Sequence, residues 1–210
     1  MTTLRSILAI SLILICTACS LSKPMPQTTT YVIDSSPPTT TLTRYPQTLR
    51  MGHVRVAPAF AGKSLVIRTD AVRYTADFYH TFITEPGDML GTLMAEWLAQ
   101  AGPFRTVLQP DSTAPATYVL EAVVTELYGD FRPEQPPIAV MTVQFSLVDL
   151  QGLAPQTRLE QTISRRIELP EDTPNALVKA YGQALNEILT ELAQQMARQN
   201  LALQTLPRNA

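Results

Sequence analysis

Cysteine is nearly missing from this chain: of 210 residues only Cys16 and Cys19 carry thiols, and both lie close to the N-terminus. No disulfide framework can hold the fold, so a domain in an oxidising compartment must rest on its core. Histidine is equally scarce. His53 and His80 stand alone, in neither a two-histidine helical motif nor a cluster with zinc-ligand spacing. No Gly-x-Ser-x-Gly elbow occurs to present a nucleophilic serine. An excess of one charge is also lacking, since 16 Lys and Arg face 18 Asp and Glu for a net charge of −2, which gives no reason to expect nucleic acid as a partner. Nor does any apolar run reach the roughly 20 residues of a membrane-spanning helix. These absences leave no catalytic constellation.

What is present begins at the first residue. Residues 1–18 have the three-part layout of a secretory signal: Arg5 without an acid, the apolar run ILAISLILI, then Cys16-Thr17-Ala18 leading to Cys19. The arrangement resembles the lipobox of bacterial lipoproteins, with Cys16 where leucine is usual. Cleavage is expected between Ala18 and Cys19, with Cys19 acylated and the chain left on a membrane. Cys16 is not the acylated residue, because the bulky, branched Ile15 precedes it. After cleavage Cys19 is the only thiol.

Residues 19–47 read as a polar Pro/Thr-rich tether interrupted by one strand-like word, Tyr31-Val32-Ile33. Residues 48–198 carry the pattern of one domain, and residues 199–210 a flexible tail. Strands are predicted at residues 54–56, 65–67, 74–83, 106–108 and 118–128. A hairpin pair follows at residues 138–150 and 158–168, with Asp149-Leu150-Gln151-Gly152 as turn chemistry. A first helix is predicted over residues 86–101, with Pro86 in its first turn and Gly102-Pro103 as its stop. A second is capped by Thr173 and opened by Pro174. Both carry apolar stripes at three- and four-residue spacing. The order implies an α/β single sandwich domain with a mixed, largely antiparallel sheet packed by two main helices.

Ala57-Pro58-Ala59-Phe60-Ala61-Gly62-Lys63-Ser64 matches the loosest phosphate-loop pattern, but Pro58 has no amide proton, alanine replaces the first glycine, and Leu65-Val66-Ile67 is strand-like. A phosphate loop needs a helix there, so the match is read as an accident.

Read in order, the lipobox and tether, then VRVAPAFAGKSLVIRTDAVRY, FITEPGDMLGTLMAEWLAQAG, YVLEAVVTELYGDF and VQFSLVDLQG, together resemble the PqiC-like ABC-type transport auxiliary lipoproteins. Phe82 stands where tryptophan would be expected. The resemblance implies a fold like the N-terminal domain of TolB and no enzyme activity, metal or cofactor. It also implies work beside an MCE-type substrate-binding subunit of an inner-membrane ABC transporter, moving lipids or other hydrophobic molecules between membranes. Ser20 after the cysteine implies sorting to the outer membrane, facing the periplasm. A stand-alone lipid- or ligand-binding lipoprotein and a structural envelope docking protein are the other readings. Residues 74–82 hold more rings than one strand face buries, so some of Phe78, Tyr79 and Phe82 are expected to be exposed, as a contact for a homo-oligomer or for the MCE-type subunit. The alternative is that all three are core.

Overall fold

The β-rich runs of the sequence join one sheet, and the two amphipathic stretches cover one face of it. In the computed structural model, which describes residues 27–37, 42 and 44–199, the strands are β1 (Thr29–Tyr31), β2 (Tyr45–Val56), β3 (Ser64–Arg68), β4 (Tyr74–Phe82), β5 (Phe104–Leu108), β6 (Tyr118–Asp130), β7 (Ile138–Asp149) and β8 (Gln156–Glu168). Helix α1 (Pro86–Ala101) precedes β5, and α2 (Pro174–Arg198) follows β8. The expected signal peptide, Ala18, Cys19 and the tail beyond Gln199 lie outside the described residues.

The centre of the sheet is β6. One of its edges is paired antiparallel to β7 throughout, and β7 is paired antiparallel to β8. Its other edge is shared end to end: β2 runs parallel to the first half, with Leu49 opposite Tyr118 and Val56 opposite Val124, and β3 takes the far end, with Ile67 opposite Gly129. Beyond β2 lies β5, parallel; beyond β3 come β4, antiparallel, and β1, parallel. The sheet is thus mixed, and its long β6–β7–β8 meander is antiparallel.

Alternation assigns the faces. Leu120 and Val124 of β6, Met141, Val143 and Phe145 of β7, and Leu49 and Met51 of β2 are buried in one cluster with the helix side chains Leu90, Met94, Trp97, Leu98, Leu177, Leu185 and Ile188. The opposite face shows Glu121, Gln144, Ser146, Glu160 and Thr162, all exposed or half-buried. Helix α1 lies over β2 and β5, and α2 over β7 and β8. Where the helices meet, Trp97 Nε1 donates to Asn186 Oδ1 at 2.9 Å. The start of α1 has Pro86 in its first turn and Glu85 as a cap without a side-chain bond, while the Gly102 amide closes its end on the Leu98 carbonyl. At the start of α2, Thr173 Oγ1 accepts from the Ala176 amide at 3.2 Å.

The N-terminal part of the fold reaches further back than the sequence pattern implies. The short strand is Thr29–Tyr31 rather than residues 31–33, and Ile33 is wholly buried. Residues 45–47, read as tether, open β2. Tyr45 is buried there; its amide donates to the Pro103 carbonyl at 2.6 Å and its hydroxyl to the Ala197 carbonyl at 2.8 Å. Polar composition concealed a few anchoring side chains that only the assembled core rewards. Gly182 makes the same point, because a Cβ there would meet the Asp34 carbonyl oxygen, a backbone atom that cannot swing aside. Gly182→Ala should therefore cost about 1–3 kcal/mol, the usual range for overpacking. Thermal melting checks this, and an unchanged midpoint would show that the Ile33–Asp34 segment does not sit on α2.

Candidate functional site

Strand β4 begins and ends in register with β3 but not between: Val66 faces Ala76 and Ser64 faces Thr81, so the single residue Leu65 stands opposite the four residues Asp77, Phe78, Tyr79 and His80. Such an excess forces the chain outward as a bulge. Asp77 holds its shape. Its Oδ1 accepts from the amides of Tyr79 (2.8 Å) and His80 (3.1 Å), and its Oδ2 from His80 Nδ1 at 2.7 Å. Burial pushes the Asp77 carboxyl up, but the His80 bond and the two amides outweigh it and hold the group below its ordinary value. The His80 ring in turn lies against Tyr31 of β1, with centroids 5.9 Å apart.

The bulge carries two rings to the surface. Phe78 is 72% exposed and Tyr79 48%, and they meet edge to face at 5.4 Å. Phe82 is not with them. It is 2% exposed and turned inward, with its ring 6.3 Å from that of Tyr181 on α2. Placing Phe82 on an interaction surface is therefore corrected: past the bulge, β4 returns to register and its alternation sends position 82 to the helix face.

A second cluster closes the β3–β6 end of the open face. Asp130 has no exposed surface, and Arg132 clasps it through Nε and Nη2, each at 2.8 Å. Arg166 and Arg68 approach to 3.7 and 3.9 Å. Burial raises the Asp130 carboxyl, but the Arg132 bonds and charge prevail and keep it below its ordinary value. Two residues earlier Tyr128 is buried beneath Phe60, stacked at 5.8 Å, and Tyr74, edge-on at 5.2 Å. The Arg68 guanidinium sits 5.6 Å from the centre of the Tyr74 ring.

Phe60 belongs to the segment that mimics a phosphate loop. Here residues 57–63 fold over the sheet to cover Tyr128, and Ser64 opens a strand instead of a helix. Lys63 Nζ donates to the Ile83 carbonyl at 3.3 Å. Arg165 and Arg166 point to opposite faces, as alternation requires: Arg165 pairs with Glu187 and Glu191 of α2 at 3.2 and 2.6 Å, while Arg166 turns to Asp130. His53 is exposed, 3.7 Å from Asp111. Among the described residues no group of three or more His, Cys, Asp or Glu could hold a metal ion, and no helix is long and apolar enough to cross a membrane. Sequence reading missed the Asp77–His80 clasp and the arginine cage around Asp130. The first left a signal, an aspartate inside an aromatic strand, where its β-propensity is poor.

The fold defines a class: a two-layer α/β domain, helices on one face and a polar sheet on the other, displaying an aromatic bulge near its N-terminal strand. The model of the ABC-type transport auxiliary lipoprotein component matches residues 31–197, and the chain belongs to that family. Among solved structures, the chain is similar to protein XCC0632 from Xanthomonas campestris, at 16% identity and a TM-score of 0.70 over 81% of this chain and 96% of that one. It is also similar to the hypothetical protein CT253 from Chlamydia trachomatis, at 9% identity and a TM-score of 0.51 over 75% and 99%. None of the curated protein sequences matches.

Proposed function

We propose that this protein is a lipoprotein acylated on Cys19 and held at the outer membrane facing the periplasm. There it serves as the auxiliary component of an ABC transport system that uses an MCE-type subunit to move lipids or other hydrophobic molecules. The family match over residues 31–197 carries the reading. The middle of the interior supports an adaptor rather than a carrier, because the space between sheet and helices there is filled by side chains such as Leu120, Met141, Leu185 and Ile188 with no exposed surface, and only a cleft of about 340 Å³ opens at the β3 end between Leu65, Ile67, Phe131 and Leu177. A groove of about 640 Å³ runs along α2, lined by Arg165, Asn186, Glu187, Glu191 and Gln195, chemistry suited to a protein surface more than to an acyl chain.

Cross-linking in intact cells, followed by purification of the native lipoprotein, tests this. Recovery of an MCE-type subunit, with an acylated Cys19 in the N-terminal peptide, is the expected result. Co-purification of a lipid without any transporter subunit would favour a stand-alone lipid-binding lipoprotein. An unmodified Cys19 would end the lipoprotein reading.

A further inference from the structure

We infer that the Phe78–Tyr79 bulge is a membrane-contact site, seating the domain on the same bilayer that carries its lipid anchor. The inference rests on the acylation of Cys19 proposed above. Three observations point to it.

The first is exposure. Large rings seldom project from a surface without a partner, and here a dedicated clasp holds two of them outward. The same β1–β4 margin also exposes Val32 and Ile83. The second is where the chain enters. Strand β1 runs parallel to β4 with Thr29 opposite His80, so the chain arriving from Cys19 reaches the fold beside the bulge. Thr29 lies ten positions after Cys19, a length that spans at most roughly 35 Å. The tether therefore joins the domain at this margin and leaves the bulge within reach of the lipid.

The third is chemistry. Phenylalanine supplies an apolar body and tyrosine an apolar body with a polar tip, the side chains that settle at the boundary of acyl chains and headgroups. The acid in the bulge is already satisfied: the Asp77 charge is met by His80 and two backbone amides. At the bulge itself an anionic headgroup layer therefore meets no bare carboxylate, and the exposed acids Asp34 and Glu85 stand beyond Val32 and Ile83. Two rings bind a bilayer weakly in isolation, but the anchor makes the contact intramolecular, so weak affinity suffices. The consequence is orientation. The β7–β8 turn, with the fully exposed Leu153, lies beyond the opposite end of β6 and is turned away from the lipid.

The test uses the full mature lipoprotein carrying Phe78→Trp, reconstituted in phosphatidylethanolamine–phosphatidylglycerol vesicles with brominated acyl chains. Trp97 is buried and gives a constant background, subtracted with the unsubstituted protein. Emission of the introduced tryptophan should fall at least twofold relative to unbrominated vesicles, and Tyr79→Ser in the same background should reduce that quenching. Leu153→Trp should be unaffected. If the acylated Phe78→Trp protein is quenched no more than the Leu153→Trp protein, the inference is overturned while the lipoprotein reading stands. Unquenched emission that is also shielded from iodide would overturn it by showing that a second copy of the chain covers the bulge. An unacylated N-terminal peptide overturns both readings.

Discussion

Asp130→Ala should cost about 2–4 kcal/mol, because the charge-assisted bonds from Arg132 are lost and Arg132, Arg68 and Arg166, themselves only partly buried, are left facing one another around an empty site. For a chain of this size that corresponds to a fall in melting temperature of roughly 4–16 °C. The pH dependence has a definite sign. The Asp130 carboxyl is held below its ordinary value in the fold. Its contribution is thus complete above the unfolded carboxylate pKa of about 3.9 and is lost as pH falls through the lower folded value. The unsubstituted protein should lose this stability at strongly acid pH, and Asp130→Ala should show a shallower loss there. Melts from neutral to acid pH decide it. A penalty under about 1 kcal/mol at neutral pH would mean that the cage does not tie β3, β6 and β8 together.

Trp97→Ala should destabilise by a similar amount, about 3–5 kcal/mol, since a large side chain is deleted from a packed interior that only partly collapses. Trp97 is 2% exposed and joins the two helices through Asn186. Trp97→Phe separates packing from polarity: it keeps most of the ring contact but leaves Asn186 Oδ1 without its donor, at about 1–2 kcal/mol. Urea denaturation followed by circular dichroism should rank unsubstituted, Phe and Ala in falling order. Equal losses for Phe and Ala would show that the hydrogen bond, not the packing, joins α1 to α2.

Much of the fold was legible because its elements are strongly periodic. Helix α1 starts at Pro86 and ends at Ala101 as the proline, the apolar stripe and Gly102 predict. The β7–β8 hairpin turns at Asp149, whose Oδ1 accepts from the Gln151 amide at 2.9 Å. The ends of the first strands were less legible. Residues 45–47 and Ile33 look like tether by composition, and nothing local reveals that Tyr45 reaches the end of α2. The candidate surface was half legible: ring density in residues 74–82 exceeds what one strand face can bury, but it does not say which rings are in excess.

By itself the sequence determined the number and kind of layers. Period-two and period-3.6 patterns oblige each element to bury one face, and a chain nearly without cysteine has only that burial to hold it. Tertiary structure decided how the strands are ordered, with β2 and β3 sharing one edge of β6, and where individual side chains point. Pairing is a contact between segments far apart in the chain, and propensity carries no trace of it. The four-against-one bulge opposite Leu65 shows why that matters. It exists only because β3 and β4 pair on both sides of it, and by breaking the alternation of β4 it sends Phe78 and Tyr79 outward and Phe82 into the core.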